Sequence, residues 1–315
     1  MSILLALTGW DTGPWVDRFR RHAKTHEIVT LEEAHDRDTI HYACAWKPPS
    51  GKLAEYPNLK IIFSLGAGVD HLFADPELPD IPVVRVVSEN LTMRMTEYVV
   101  QHVLMHHRQQ RKLDRMQAEK DWHEIEQPAA SEVRVGVMGL GVLGADAARA
   151  LGTLGFQVLG WSRSAKNLDG VRCFAGYDQL PDFLGQTDIL VCLLPHTSET
   201  TGILNTALFS QLAQDGALAG SFPVLINAGR GKLQVEADIL DALNNGVLKG
   251  ATLDVFETEP LPQTSALWAH PQVTVTPHSA ADSEPEAIAR MIGGQIASYE
   301  RGEPLRNVVD PARGY

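Results

Sequence analysis

Short apolar runs recur along this chain at spacings that leave room for a helix between them. They begin with Ile3–Leu7, Ile28–Leu31, Tyr42–Trp46, Leu59–Ser64 and Val83–Val87. The rhythm lapses, then starts afresh with Val133–Met138, Gln157–Trp161, Ile189–Leu193, Val224–Asn227, Ala251–Val255 and Val273–Thr276. Strand-length runs that alternate with helix-length intervals predict an α/β protein with parallel sheets, because each return between parallel strands needs a crossover helix. The restart predicts two such units rather than one large one. Between the two series, Thr96 to Trp122 has helical patterning, with Val99, Val103, Leu104, Leu113 and Met116 interleaved with Arg108, Arg111, Lys112, Asp114 and Arg115. That charged face is read either as solvated or as an interface between copies. Near the far end, Ser283-Glu284-Pro285-Glu286 places acidic residues and proline early in a helix that runs on from Ala287 to Tyr299.

Composition narrows the class. A chain of 315 residues with 44% hydrophobic content can bury the core of two domains. The formal charge of -12 comes with no basic stripe, which argues against nucleic-acid and anionic-membrane partners. Met1–Leu7 lacks a basic region and a cleavage pattern and reads as a first strand, and no run approaches the roughly 18 apolar residues of a membrane helix. Cys44, Cys173 and Cys192 have no metal-ligand spacing, so no metal is expected; Cys192, inside a strand-like run, reads as a small buried thiol. A reducing, cytoplasmic setting fits this cysteine usage.

The densest chemical signal is Val133-Arg134-Val135-Gly136-Val137-Met138-Gly139-Leu140-Gly141-Val142-Leu143-Gly144. An apolar strand leads into Gly139, Gly141 and Gly144, and an alanine-rich helical stretch follows. Glycines in this arrangement permit a tight turn, close approach of backbone to a pyrophosphate, and close helix packing, with the helix N-terminus facing the phosphates. Gly139 through Gly144, including Leu140, Val142 and Leu143, are therefore candidate dinucleotide contacts. The following strand decides which dinucleotide. A free ribose 2′-OH usually meets a carboxylate at its end, but Gln157–Trp161 runs into Ser162-Arg163-Ser164. A guanidinium between two hydroxyls suits a 2′-phosphate, so NADP(H) is preferred, with NAD(H) possible. A solvated loop arginine is the plainer reading of Arg163.

Three polar islands follow, each at the end of an apolar run: Asn227-Ala228-Gly229-Arg230-Gly231, Asp254 through Leu261, and Thr276-Pro277-His278-Ser279-Ala280-Ala281. They offer an arginine, a carboxylate and a histidine. Reduction of a 2-keto acid asks for that set: a cation for the carboxylate, an acid for the carbonyl oxygen, and an anion that favours the acid's protonated form. Singly, Arg230 is also read as a loop buttress, Glu259 as a turn cap and His278 as a rim histidine.

With these islands, Leu194-Pro195-His196-Thr197-Ser198-Glu199-Thr200, Ala45-Trp46-Lys47-Pro48-Pro49 and Phe63 through His71, the chain resembles the D-isomer-specific 2-hydroxyacid dehydrogenase family over essentially its whole length. Within that family it looks most like the A-type branch of bacterial glyoxylate/hydroxypyruvate reductases. The resemblance implies two Rossmann-like or flavodoxin-like domains separated by a cleft: a substrate-binding domain of residues 1–97 plus 285–315, and a dinucleotide-binding domain of residues 98–284. It makes Arg230 the clamp for substrate carboxylate, His278 the proton donor and Glu259 its partner. It assigns substrate contacts to Ala67, Gly68 and Val69 in a glycine loop, with Trp46 at the mouth and Arg94 as a further contact. It places Leu194, Pro195, Thr197, Asn227, Ala228, Gly229, Arg230, Asp254 and His278 near the cofactor. It implies a homodimer acting on a small 2-keto or 2-hydroxy acid. The segment from Ala213 to Pro223 is longer than the family's usual turn and reads as a surface loop with little bearing on chemistry. A reductase of bulkier keto acids such as phenylpyruvate, and a dinucleotide-sensing corepressor, remain the alternatives.

Overall fold

The computed structural model describes residues 1–218, 223–282 and 284–311. Along the chain, β1 (Ser2–Leu7), α1 (Gly13–His22), β2 (Glu27–Thr30), β3 (Ile40–Trp46), β4 (Ile61–Ser64), α2 (Asp70–Phe73) and β5 (Val83–Val84) lead into α3 (Glu89–His107) and α4 (Gln110–Glu119). Then come β6 (Arg134–Met138), α5 (Val142–Thr153), β7 (Gln157–Ser162), β8 (Arg172–Ala175), α6 (Leu180–Leu184) and β9 (Ile189–Cys192). The remainder is α7 (Thr206–Phe209), β10 (Val224–Asn227), α8 (Glu236–Asn244), β11 (Gly250–Leu253), β12 (Val273–Val275) and α9 (Pro285–Glu300). Two compact units result: Met1–Leu91 with Ser283–Tyr315, and Thr92–Asp282.

The first unit holds a parallel sheet in the order β2-β1-β3-β4-β5. Successive side chains alternate between its faces. Ile3, Leu5, Tyr42, Cys44 and Phe63 pack with Trp15 and Phe19 of α1 and Ile288, Ile292 and Ile296 of α9. Leu4, Ala6, Ala43, Ala45 and Ile62 pack on the opposite face with Leu53, Tyr56 and Leu72. Cover on both faces is why these strands read as apolar runs instead of alternating. At the head of α9, Glu286 accepts hydrogen bonds from Arg21 and His22 of α1, which pull its carboxyl down to about 2.

The second unit holds a parallel sheet in the order β12-β11-β10-β9-β6-β7-β8. The order reverses at β6, with β7 and β8 on one side and β9 through β12 on the other. In open α/β sheets a ligand crevice lies beyond the carboxyl ends of the strands at such a reversal. Here those ends carry Gly139 and Leu193. Cys192 is buried among apolar side chains, and burial pushes its thiol up to about 12, so it stays protonated and inert.

Three elements differ from the sequence-based expectation. β8 is absent from that reading because it is a half-exposed edge strand with only Phe174 fully buried, too weak a pattern to register. The single helix expected over Thr96–Trp122 starts earlier, where Ser88 Oγ accepts the Leu91 N–H as an N-cap. It then breaks at Gln109, which takes a left-handed conformation. Bonds to a downstream segment fasten that break: Gln127 donates to the Arg108 carbonyl, and the Gln109 side chain donates to that of Glu126. Within the 213–223 segment, residues 219–222 lie outside the described residues. The described part is more than surface loop: Leu218 is buried in the core, and Asp215 joins buried Asp188 in binding Arg134. Among the described residues no helix is long and apolar enough to cross a membrane.

Candidate active site

At the reversal in the second sheet, the glycines of the β6–α5 turn each answer a different steric demand. Gly139 has φ +104°, and a Cβ there would meet the Leu193 carbonyl oxygen at 2.8 Å. A Cβ on Gly144 would run into the Gly139 carbonyl. Gly141, the N-cap of α5, has open space where its Cβ would be. This open space lies at the head of the 12-residue helix, whose first N–H groups have no partner within the helix. Leu140 is buried and points its side chain at Gly160, leaving its backbone to line the turn. Beside it, Thr200 Oγ1 bonds the Pro195 carbonyl and accepts the Thr197 N–H, which shapes the Leu194–Thr197 turn. At the end of β7, Ser162 is buried and bonds the Ser164 carbonyl, while Arg163 is 40% exposed with Glu199 3.7 Å away.

The ends of β10, β11 and β12 lie side by side, so the three polar islands are neighbours. Asn227 is fully buried: its Oδ1 accepts the Gly229 N–H, and its amide donates to the Arg230 carbonyl and to Gln234 Oε1. Gln234 donates in turn to the Val255 carbonyl. A Cβ on Gly231 would strike the Phe256 carbonyl, so the backbone beside Arg230 is pressed against the strand end that leads to Glu259. Glu259 accepts the Phe256 N–H on Oε1 and meets His278 Nδ1 at 2.8 Å on Oε2.

His278 sits at φ +52°, a left-handed conformation. Histidine tolerates this better than bulkier residues, but it still costs about 1–3 kcal/mol. The conformation is held by Asp254, whose carbonyl accepts the His278 N–H at 2.8 Å and whose carboxylate accepts the N–H groups of Ser279 and Ala280. Asp254 is 1% exposed, so its carboxylate is committed to the loop that presents His278.

The first unit has its own strand-end loop. Ser64 Oγ lies within hydrogen-bond distance of the Gly66 and Gly68 carbonyls, and a Cβ on Gly66 would lie 2.5 Å from the Trp46 ring. Trp46 stacks on Trp10 at 4.8 Å and packs against His71 at 4.9 Å, with Lys47 Nζ 5.7 Å from its ring centre. Ala67 and Gly68 are partly exposed, while Val69 turns its side chain into the core. Arg94 lies on an exposed position of α3 beside buried Met95.

A sequence profile described as D-isomer specific 2-hydroxyacid dehydrogenase, NAD binding domain, matches residues 100–280. Glyoxylate/hydroxypyruvate reductase A of Salmonella enteritidis PT4 is 41% identical over 324 aligned residues, covering 100% of both chains. The chain belongs to the D-isomer-specific 2-hydroxyacid dehydrogenase family. A probable 2-hydroxyacid dehydrogenase from Rhizobium etli CFN 42, solved with NADP, HEPES and L(+)-tartaric acid, superposes with a TM-score of 0.93 at 47% identity, covering 100% of this chain and 99% of its own. An NADPH-dependent glyoxylate/hydroxypyruvate reductase from Sinorhizobium meliloti, solved with NADP and sulfate, gives 0.93 at 45% identity over 100% of both chains.

In this dehydrogenase, Glu259 and His278 are joined by a hydrogen bond, and the Arg230 backbone is tied to the same strand ends through Asn227 and Gln234. Reading the sequence missed Gln234, Thr200 and Ser64 as organisers of these loops. No spacing rule marks them. Their one signal is a polar residue inside an apolar context, visible for Ser64 at the end of Ile61–Ser64. Among the described residues no cluster of His, Cys, Asp and Glu is arranged to hold a metal ion.

Proposed function

We propose that this dehydrogenase reduces small 2-keto acids, glyoxylate and hydroxypyruvate foremost, with NADPH to the corresponding 2-hydroxy acids, in the D form where C2 becomes a stereocentre. The observation that carries the reading is the Glu259–His278 pair at 2.8 Å, beside the braced Arg230 loop at the same sheet edge. The open approach to Gly141 at the head of α5 fits a pyrophosphate, and exposed Arg163 fits a 2′-phosphate. Bound NADPH supplies the hydride. Arg230 binds the substrate carboxylate and, lying near the keto group, favours the negative charge that builds on its oxygen. Glu259 occupies Nδ1 of His278, which fixes the ring and leaves Nε2 to give the proton to that oxygen. In the oxidative direction Nε2 takes the proton back.

The test is oxidation of NADPH and NADH in the presence of glyoxylate, hydroxypyruvate, pyruvate and phenylpyruvate. NADPH-linked turnover of glyoxylate and hydroxypyruvate is expected, and no turnover with any pair would overturn the reading. Arg163→Ala is expected to raise the KM for NADPH about tenfold and leave that for NADH unchanged, the loss of one charge-assisted contact. Equal KM values for the two cofactors in the parent would defeat the 2′-phosphate assignment.

A further inference from the structure

Three successive N–H groups, those of His278, Ser279 and Ala280, converge on one residue, Asp254. The first reaches its backbone carbonyl and the other two its carboxylate, which also accepts from Thr276 Oγ1 at 2.6 Å. Thr276 has a single hydroxyl proton, and the buried carboxylate, an acceptor only, takes it. Thr276 Oγ1 also lies 2.8 Å from the hydroxyl of Tyr98. With the threonine proton already committed, the phenol must be the donor. A directed chain follows: Tyr98 O–H donates to Thr276, and Thr276 O–H donates to Asp254. Tyr98 reaches this position from α3, where it is 9% exposed and packs on His102 with ring centres 4.1 Å apart. Burial, and then the Asp254 charge, hold the phenol well above its ordinary range, so it remains a donor at any working pH.

We infer that Tyr98 is a positioning residue for the proton transfer, acting through Thr276 and Asp254 to hold His278 in its left-handed conformation. The inference rests on the reading of His278 as the proton donor. A directed hydrogen bond to a charged acceptor is stronger than a neutral one, and each donor in the chain sharpens the next. Fixing Thr276 from α3 fixes the carboxylate, and the carboxylate fixes the N–H groups on the far side of His278. Without that hold, relaxation of a strained φ turns the imidazole away from Glu259. Neither Tyr98 nor Thr276, the residues varied, is assigned a contact with substrate or cofactor, so the expected signature is a loss in kcat and not in KM.

The experiment compares Tyr98→Phe, Thr276→Val and Thr276→Ser with the parent. Tyr98→Phe keeps the ring and its packing and removes only the donor. It is expected to lower kcat roughly five- to tenfold, with keto-acid and NADPH KM values within about twofold and a larger solvent deuterium isotope effect on kcat. Thr276→Val breaks both bonds and is expected to cost roughly 30- to 100-fold, while Thr276→Ser, which keeps the hydroxyl, recovers kcat to within about threefold of the parent. Parent-like kcat and isotope effect in Tyr98→Phe would overturn the inference, as would a kcat loss in Thr276→Ser equal to that in Thr276→Val. A second readout needs no turnover: the imidazole N–H signal of His278 in a proton–nitrogen correlation spectrum, assigned by its absence in His278→Asn. It is expected to broaden or move in Tyr98→Phe, and an unchanged signal would overturn the inference. If the parent turns over no keto acid, the reductase reading fails while this spectrum still decides the relay. Unfolding midpoints of all variants separate a positioning effect from a general loss of stability.

Discussion

The loops after β10, β11 and β12 are organised by buried polar side chains, whereas those after β1, β3 and β4 are organised by stacked rings. In the first group Asn227, Gln234 and Asp254 are each at most 2% exposed, and their polar atoms have partners in neighbouring strand ends. In the second, Trp10 stacks between Trp15 and Trp46, and Trp46 in turn backs His71 and Gly66. Both sheets are parallel and covered on both faces. The difference therefore lies in what each edge has to hold. A histidine that gives up a proton needs one atom kept in place and direction, which hydrogen bonds in a low-dielectric interior provide. A glycine loop that presents backbone N–H groups needs its shape kept, and non-directional packing is enough for that.

The polar edge is tested most severely at His278. Removing a general acid is expected to lower kcat for keto-acid reduction roughly 10²- to 10⁴-fold. Although the ring is 46% exposed, His278→Ala places alanine at a left-handed φ and removes the Glu259 contact, so a stability loss of about 1 kcal/mol is expected. Steady-state kinetics and a urea titration check both halves. A kcat loss below tenfold would mean that the network is not built around this proton donor, and the contrast between the edges would lose its explanation.

Asn227 offers the next largest effect, now on stability. Asn227→Ala leaves the Gly229 N–H and Gln234 Oε1 without partners inside the protein, and each such group costs about 1–3 kcal/mol. A loss of about 3 kcal/mol is expected in urea melts of the unit that holds it. Since the same side chain bonds the Arg230 carbonyl, the keto-acid KM should also rise about tenfold as the Arg230 loop loosens. Asn227→Leu restores volume but no hydrogen bond and is expected to recover neither property.

How much of this was legible in the sequence follows from the range over which each contact acts. β1, β3, β9 and β10 were readable because burial on both faces makes them mainly apolar runs. The turn from Gly139 to Gly144 was readable because its demands are local and only glycine meets them. Arg230, Glu259 and His278 stood out as polar residues at strand ends. The contacts that support them join residues with no sequence relation: Gln234 bonds a carbonyl 21 residues on, and Tyr98 bonds Thr276 across 178 residues. Pattern reading sees the periodicity of one element at a time, so Tyr98 registers as one more buried aromatic on α3. The break at Gln109 escaped for a related reason, since the side chain that fastens it, Gln127, lies beyond the far end of α4.

The smallest effect, and the sharpest test of the contrast, is expected at the aromatic edge. Trp10 is 39% exposed, and its rings lie 5.6 Å from Trp15 and 4.8 Å from Trp46, at 7° and 19° between planes. A stacked aromatic pair contributes about 0.5–1.5 kcal/mol beyond buried area, so Trp10→Ala should lower the stability of its unit by about 1–2 kcal/mol. Stacking sets distance and tilt but imposes no donor or acceptor, so any flat apolar ring of similar size can take the place. Trp10→Phe is therefore expected to recover most of that loss, where no apolar replacement recovers Asn227. Parallel urea melts of the Trp10 and Asn227 pairs decide the point. If Trp10→Phe proved as damaging as Trp10→Ala, the indole would be making a directional contact, and this edge too would be held by polar specificity rather than by packing.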